Sequence, residues 1–167
     1  MESIRLKARA KINLGLDVIG RRENGYHDVR MVMQTVGLYD RIIMTRIPEE
    51  EIRIKTNIGF LPVNENNLVY KAIMLMKNKY KLDGGIEVDL NKFIPVAAGM
   101  AGGSSDAASA LFGMNRLYDL NIPMKELMNI GVEIGADVPY CLMRGTALAE
   151  GIGEKLTRLP DMPFCHI

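Results

Sequence analysis

Residues 95–111 read PVAAGMAGGSSDAASAL, and the reading of this stretch decides the rest. Pro95 opens it, Gly99, Gly102 and Gly103 space its middle, Ser104 and Ser105 follow, and Ala107, Ala108, Ala110 and Leu111 continue as good helix formers. A bound phosphate needs close backbone approach and converging N–H donors. Glycine permits the first, and a helix N-terminus supplies the second with about half a positive charge. The plainer alternative is a glycine-rich turn leading into a serine-capped helix. Two commoner phosphate motifs do not fit. No lysine follows the glycines as in GxxxxGK[ST]. The loop also follows a late strand, where a dinucleotide fingerprint would follow the first strand of a βαβ unit.

Outward from this loop the chain alternates strands and helices. Residues 3–9 and 11–19 read as two strands, and 21–27 (RRENGYH) hold the turn dipeptide Asn24-Gly25. Residues 29–36 and 41–47 read as strands joined by a GLYD turn, and 50–56 alternate again. A helix is predicted over 64–81, a strand over 84–90, and a second helix from Pro123 to Gly135 after the one that follows the glycines. Residues 145–159 read as a hairpin turning at Gly151–Gly153. This order predicts an α+β domain: a mixed, mostly antiparallel sheet with helices on one face.

The totals bound the function. At 167 residues the chain makes one domain with a real core, and a net charge of +1 gives no field for nucleic acid or an anionic membrane. No stretch is long and apolar enough to span a bilayer, and MESIRLKARAK carries no signal-peptide core. The expected compartment is the cytoplasm. The twelve methionines are read as core fillers. Cys141 and Cys165 fit no metal spacing and no nucleophile motif, and are read as buried or incidental thiols. The Pro-punctuated LPDMPFCHI at 159–167 reads as a connector, so the chain is expected to be the front part of a longer protein.

The ordered run P-x-x-x-G-x-x-G-G-S-S-D-A-A strongly resembles the second signature of the GHMP small-molecule kinases. Four further stretches resemble one branch of that family, in order: AKINLGLDVIGRRENGYHDV at 10–29, ENNLVYKA at 65–72, GADVPYC at 135–141 and GTALAEGIGEKL at 145–156. The resemblance implies a ribosomal-protein-domain-2-like fold with a left-handed βαβ unit. It also implies a C-terminal ferredoxin-like domain absent from this chain. The implied activity moves the γ-phosphoryl group of ATP, with Mg2+, to the 2-hydroxyl of diphosphocytidyl methylerythritol in non-mevalonate isoprenoid synthesis.

Site residues follow on the same basis. Pro95, Gly99, Met100, Ala101, Gly102, Gly103, Ser104 and Ser105 would cradle the ATP phosphates, with a serine, Ser105, a candidate to help hold Mg2+. The family loop carries Gly where this chain has Ala101, and Ala101 is expected not to need a positive φ. Phosphoryl transfer to an alcohol calls for a carboxylate to receive or orient its proton, a role for Asp137, with a cap or solvated turn as the alternative. Lys11 would pair with Asp137 and offset charge at transfer. Asn13 shares its strand face and would contact the acceptor. Tyr26 and His27 would hold the cytosine by stacking and hydrogen bonding. Asn66 and Lys92 would lie near the adenosine, although Asn66 also suits a helix cap and Lys92 a solvated strand end. Two other readings stay open: a GHMP kinase with another small alcohol acceptor, and an inactive nucleotide-binding or self-associating fragment. Loss of a covering domain predicts low turnover and self-association through the exposed surface.

Overall fold

The computed structural model describes residues 1–21, Gly25 and 27–166. Two very long strands organise it: β1 (Ser3–Arg21) and β2 (His27–Ile47), paired antiparallel along almost their whole lengths. The sequence suggests four strands here, because alternation breaks near Ala10 and at GLYD. The breaks are real but do not end the pairing. Register shifts between Arg9 and Lys11, Asn13 and Gly15, and Val18 and Gly20 absorb them. A bulge bends a strand and re-aims its side chains while the ladder continues on either side. The expected Asn24-Gly25 turn lies outside the described residues apart from Gly25, with Arg21 opposite His27 at its base.

The other edge of β2 is shared. Arg41–Ile47 pair with β4 (Gly85–Asn91) and Val29–Gln34 with β5 (Thr146–Gly151), both antiparallel. β3 (Ile52–Thr56) lies parallel to β4, and β6 (Lys155–Arg158) closes the hairpin with β5. The sheet is therefore mixed and mostly antiparallel, in the order β3-β4-β2-β5-β6 with β1 on β2. The parallel pair β3–β4 is bridged by α1 (Leu68–Tyr80), the βαβ unit of the domain.

One sheet face carries the core: Ala8 and Ala10 from β1, Met33, Ile42 and Met44 from β2, Ile86, Val88 and Leu90 from β4, and Ala147 and Ala149 from β5. Against it lies α2 (Gly102–Leu117), the helix that follows the glycine loop. Its small residues let it sit low on the sheet: at Gly113, Met44 and Leu6 leave no room for a Cβ without moving. α1 packs on α2, and α3 (Met124–Val132) and α4 (Val138–Met143) flank it. Methionine does fill this core, since Met33, Met44, Met76 and Met114 are fully buried.

Three local readings need correction. The cap of α1 is Asn67, whose side chain accepts from Val69 N–H at 2.8 Å, and Asn66 stands one residue outside it. α3 ends at Val132, short of Gly135, and Pro123 occupies its N-cap position. The stretch after Gly135, assigned to no helix or strand from the sequence, contains α4 at residues 138–143. A proline in the first turn removes only an N–H that has no intrahelical partner.

Candidate active site

The loop between β4 and α2 takes positive φ at every second residue: Ala97 (60°), Gly99 (72°) and Ala101 (54°). Ala98 and Met100 between them are not among the positive-φ residues, and a run of alternating φ sign is the backbone pattern from which a concave anion nest can be built. The nest runs directly into α2, whose N-cap Ala101 offers no side-chain acceptor. The N–H groups of Gly102, Gly103 and Ser104 are those an α-helix leaves without intrahelical partners. Ala101 thus does sit in the left-handed region, contrary to the expectation from sequence. Its location in the alternating nest is what requires it, and an alanine there carries a strain that glycine would not.

The two serines divide their roles. Ser104 lines the cleft above the loop. Ser105 is buried, and its hydroxyl donates to the Arg9 carbonyl at 2.6 Å, fastening α2 to β1. Its hydroxyl is therefore committed away from the cleft, which corrects its assignment to phosphate or Mg2+. Among the described residues no three His, Cys, Asp or Glu side chains converge to hold a metal.

Beneath the loop lies a buried ionic cluster that sequence reading does not find. Lys92, at the end of β4, bonds Asp40 of β2 and Asp106 of α2, the latter at 2.6 Å, with all three side chains within 4% of full burial. Asp40 also accepts from the Ile94 N–H at 2.8 Å, so it pins the start of the loop. Lys92 is neither a solvated strand end nor free for a nucleotide. Two carboxylates share one ammonium, and Asp106 Oδ1 has no hydrogen-bond partner. Burial pushes the Asp106 carboxyl up to about 8; Lys92 opposes the shift and Asp40 adds to it. The residues themselves give little warning. Asp40 sits in GLYD, which reads as a turn, and Asp106 sits in the helix signature with no partner in view.

At the open side of the loop, Lys11 Nζ stands 3.8 Å from Asp137 Oδ2. The Lys11 side chain is 7% exposed and that of Asp137 30% exposed. Asp137 occupies the N-cap position of α4, yet its carboxylate makes no cap hydrogen bond, so it stays available. Tyr140 holds α4 in place: its hydroxyl donates to the Gly145 carbonyl at 2.7 Å and lies 3.0 Å from Thr35 Oγ1. Lys11 is tied to the loop through its own backbone, donating N–H to the Met100 carbonyl at 3.1 Å. Its ammonium also reaches Asn13 Oδ1 at 3.4 Å, as the shared strand face predicts.

Lys11, Asp137, Asn66, Lys92, Pro95, Gly99–Gly103 and Ser104 together line one cleft of about 460 Å³. His27 is not among them. It sits exposed at the far end of the β1–β2 arm, eight residues along β2 from Thr35, the partner of Lys11. Tyr26 lies outside the described residues. Cys141 borders the site but is inert: burial, then the nearby Asp137, push its thiol up to about 12.

A nest opening into a helix, with a lysine–carboxylate pair at its mouth, defines a class, and the sequence comparisons agree with it. The family model for the GHMP kinases N terminal domain matches residues 67–145. The chain carries the fold of the GHMP kinase N-terminal domain. It is 96% identical over all 167 residues to the 4-diphosphocytidyl-2-C-methyl-D-erythritol kinase of Lachnospira eligens. It is 51% identical, over 98% of the chain, to the protein of the same name from Clostridioides difficile. A solved 4-(cytidine 5'-diphospho)-2C-methyl-D-erythritol kinase superposes over 93% of the chain and 55% of its own length, with a TM-score of 0.81 at 35% identity. A homoserine kinase from Cytophaga hutchinsonii shares the fold at a TM-score of 0.74 and 21% identity, covering 96% of the chain and 52% of its own. The chain spans 58% of the Lachnospira eligens protein and 55% of the Clostridioides difficile one.

Proposed function

We propose that this domain binds ATP in the glycine-loop cleft and serves transfer of its γ-phosphoryl group to the 2-hydroxyl of diphosphocytidyl methylerythritol. The observation that carries the reading is the Lys11–Asp137 contact of 3.8 Å at the mouth of the nest. The nest and the first turn of α2 would receive the β- and γ-phosphates, with Ser104 adding a hydroxyl donor. Asp137 would orient the acceptor hydroxyl and take its proton. Lys11 would hold that carboxylate in place and offset the charge that builds on the transferring group. Asn13 would position a neighbouring hydroxyl of the acceptor. The acidic side chains described offer no cage for a resident cation, so Mg2+ would arrive with the triphosphate as part of the substrate.

The acceptor rests on the relatives' names, and His27 at the end of the β1–β2 arm would bond the edge of its cytosine. Among the described residues no helix is long and apolar enough to cross a membrane. A cytoplasmic location supplies the ATP this reading needs. The test is product formation followed by phosphorus NMR with diphosphocytidyl methylerythritol, homoserine or mevalonate as acceptor. Phosphorylation of the first alone supports the reading; transfer to homoserine or mevalonate instead overturns the acceptor assignment.

A second reading concerns the outer edge of β1. Leu14 (46% exposed), Leu16 (50%) and Val18 (60%) stand on a strand that pairs with β2 on one side only. A long apolar edge of this kind templates pairing with another strand. Copies of the chain are therefore proposed to associate along β1, and the chain on its own to turn over slowly, because an open cleft admits water. A monodisperse monomer by light scattering at micromolar concentration would contradict the first of these.

A further inference from the structure

Arg144, the residue that ends α4, has φ 58° and ψ 178°. That region is essentially reserved for glycine, and a side chain held there is strained. Gly145 follows it, so the local turn does not lack glycine. The side chain that bears this strain is exposed at the surface beside a second guanidinium, that of Arg9. Burial lowers the Arg144 pKa from its usual value, and the neighbouring Arg9 guanidinium lowers it further. Its one hydrogen bond to the protein outside the turn goes to a backbone carbonyl, that of Lys7, at 3.2 Å. Among the described residues neither Arg144 nor Arg9 forms an ion pair with a carboxylate. Arg9 instead lies with Lys7 against the ring of Tyr39, at 6.0 and 4.6 Å from its centroid.

Two neighbouring arginines, one on a strained backbone and neither ion-paired to a carboxylate among the described residues, describe half of a binding site. Both arginines line a groove of about 910 Å³ between the bulged part of β1–β2 and the segment after β6. Met100 walls this groove and also walls the glycine-loop cleft, and its carbonyl accepts from Lys11 N–H. The groove therefore adjoins the Lys11–Asp137 pair on the side away from the nest. Arg9 precedes Lys11 by two residues, roughly 6–7 Å of strand.

We propose that Arg9 and Arg144 form an anion subsite in this groove that grips the diphosphate of a nucleotidyl-diphosphate acceptor and so places its sugar-alcohol end against Asp137. The inference rests on the kinase reading above and adds the recognition element for the acceptor's charged centre. Guanidinium groups suit it because their planar N–H forks match two phosphate oxygens at once. A diphosphate also supplies the negative charge that separates the two arginines. These are positioning residues, acting on how the acceptor lies rather than on the transferred group.

Arg144→Gly is the informative variant, since glycine occupies the observed backbone conformation without strain and the fold is expected to hold or gain stability. Arg9→Gln is its companion. Calorimetric titrations of the chain would use CDP, cytidine and inorganic pyrophosphate, each with the glycine loop saturated by a non-hydrolysable ATP analogue. The expected result is that R144G binds CDP and pyrophosphate about tenfold more weakly, the loss usual for one charge-assisted contact. Cytidine and the ATP analogue should bind as before, and the melting temperature should not fall. Unchanged CDP and pyrophosphate affinities in R144G overturn the proposal, as does a wild-type chain that binds CDP no better than cytidine. Failure of the kinase reading looks different: the ATP analogue itself would not bind.

Discussion

Asp106→Asn isolates the electrostatics beneath the glycine loop. In the folded chain the Asp106 carboxyl is pushed up to about 8, first by burial, with Lys92 pulling the other way and Asp40 adding to the rise. In the unfolded chain it returns to about 4. Between these values the native state holds a proton that the unfolded state has released. Stability contributed by this group is thus full below about pH 4 and is lost as pH rises toward 8, by about 1.4 kcal/mol per pH unit. From about pH 5 to 7 that is roughly 2.7 kcal/mol. The amide that replaces the carboxyl in the variant does not titrate, and its carbonyl can still accept from Lys92. With a urea slope of about 2 kcal/mol/M, the wild-type midpoint should fall about 1.4 M further than the variant's over the same interval. Urea melts of both proteins at pH 5, 6 and 7 measure this directly, because other titrating groups are common to both. Midpoints that move in parallel would refute the reasoning and mean that Lys92 outweighs burial at Asp106. A Cβ added at Gly102 in the glycine loop would stand 3.1 Å from Lys92 Nζ, so the cluster packs directly under the loop.

The two serines should separate cleanly. Ser105→Ala strands the Arg9 carbonyl and should cost about 1–3 kcal/mol in thermal or urea denaturation, with little direct loss of nucleotide affinity. Ser104→Ala should leave stability within about 0.5 kcal/mol but weaken ATP in calorimetric titration. Ala101→Gly relieves a left-handed alanine, worth about 1–2 kcal/mol, against about 0.5–1 kcal/mol of added chain entropy, so it should be neutral to stabilising by up to about 1.5 kcal/mol and retain ATP. A clear drop in melting temperature would show that the alanine methyl packs better than the strain suggests.

The glycine loop, the strands around it and the βαβ order are legible because local chemistry writes them: glycine spacing, alternation and helix caps. What is not legible depends on residues meeting across the fold. Asp40 reads as a turn residue until the bulged β2 carries it under the loop, where it meets Lys92 and Asp106. Ser104 and Ser105 are indistinguishable in sequence, and only the helical rotation of about 100° between neighbours sends one to the cleft and the other to β1. Ala101 misleads because alanine rarely adopts positive φ, and the nest imposes it. Arg144 carries no signal, since an arginine after a short helix suggests solvent. The Lys11–Asp137 contact comes from resemblance alone, and 3.8 Å is what gives it physical content.

That contact is the centre of the account, and single-turnover phosphoryl transfer tests it. The chain at high concentration is mixed with Mg2+, ATP and diphosphocytidyl methylerythritol, and product is followed by phosphorus NMR beside an Asp137→Asn protein that still binds ATP. The account predicts slow product formation that falls about a hundredfold or more in the variant, the usual range for loss of a positioned proton acceptor. Product appearing at the same rate in both proteins would contradict it and move the chemistry away from Lys11 and Asp137.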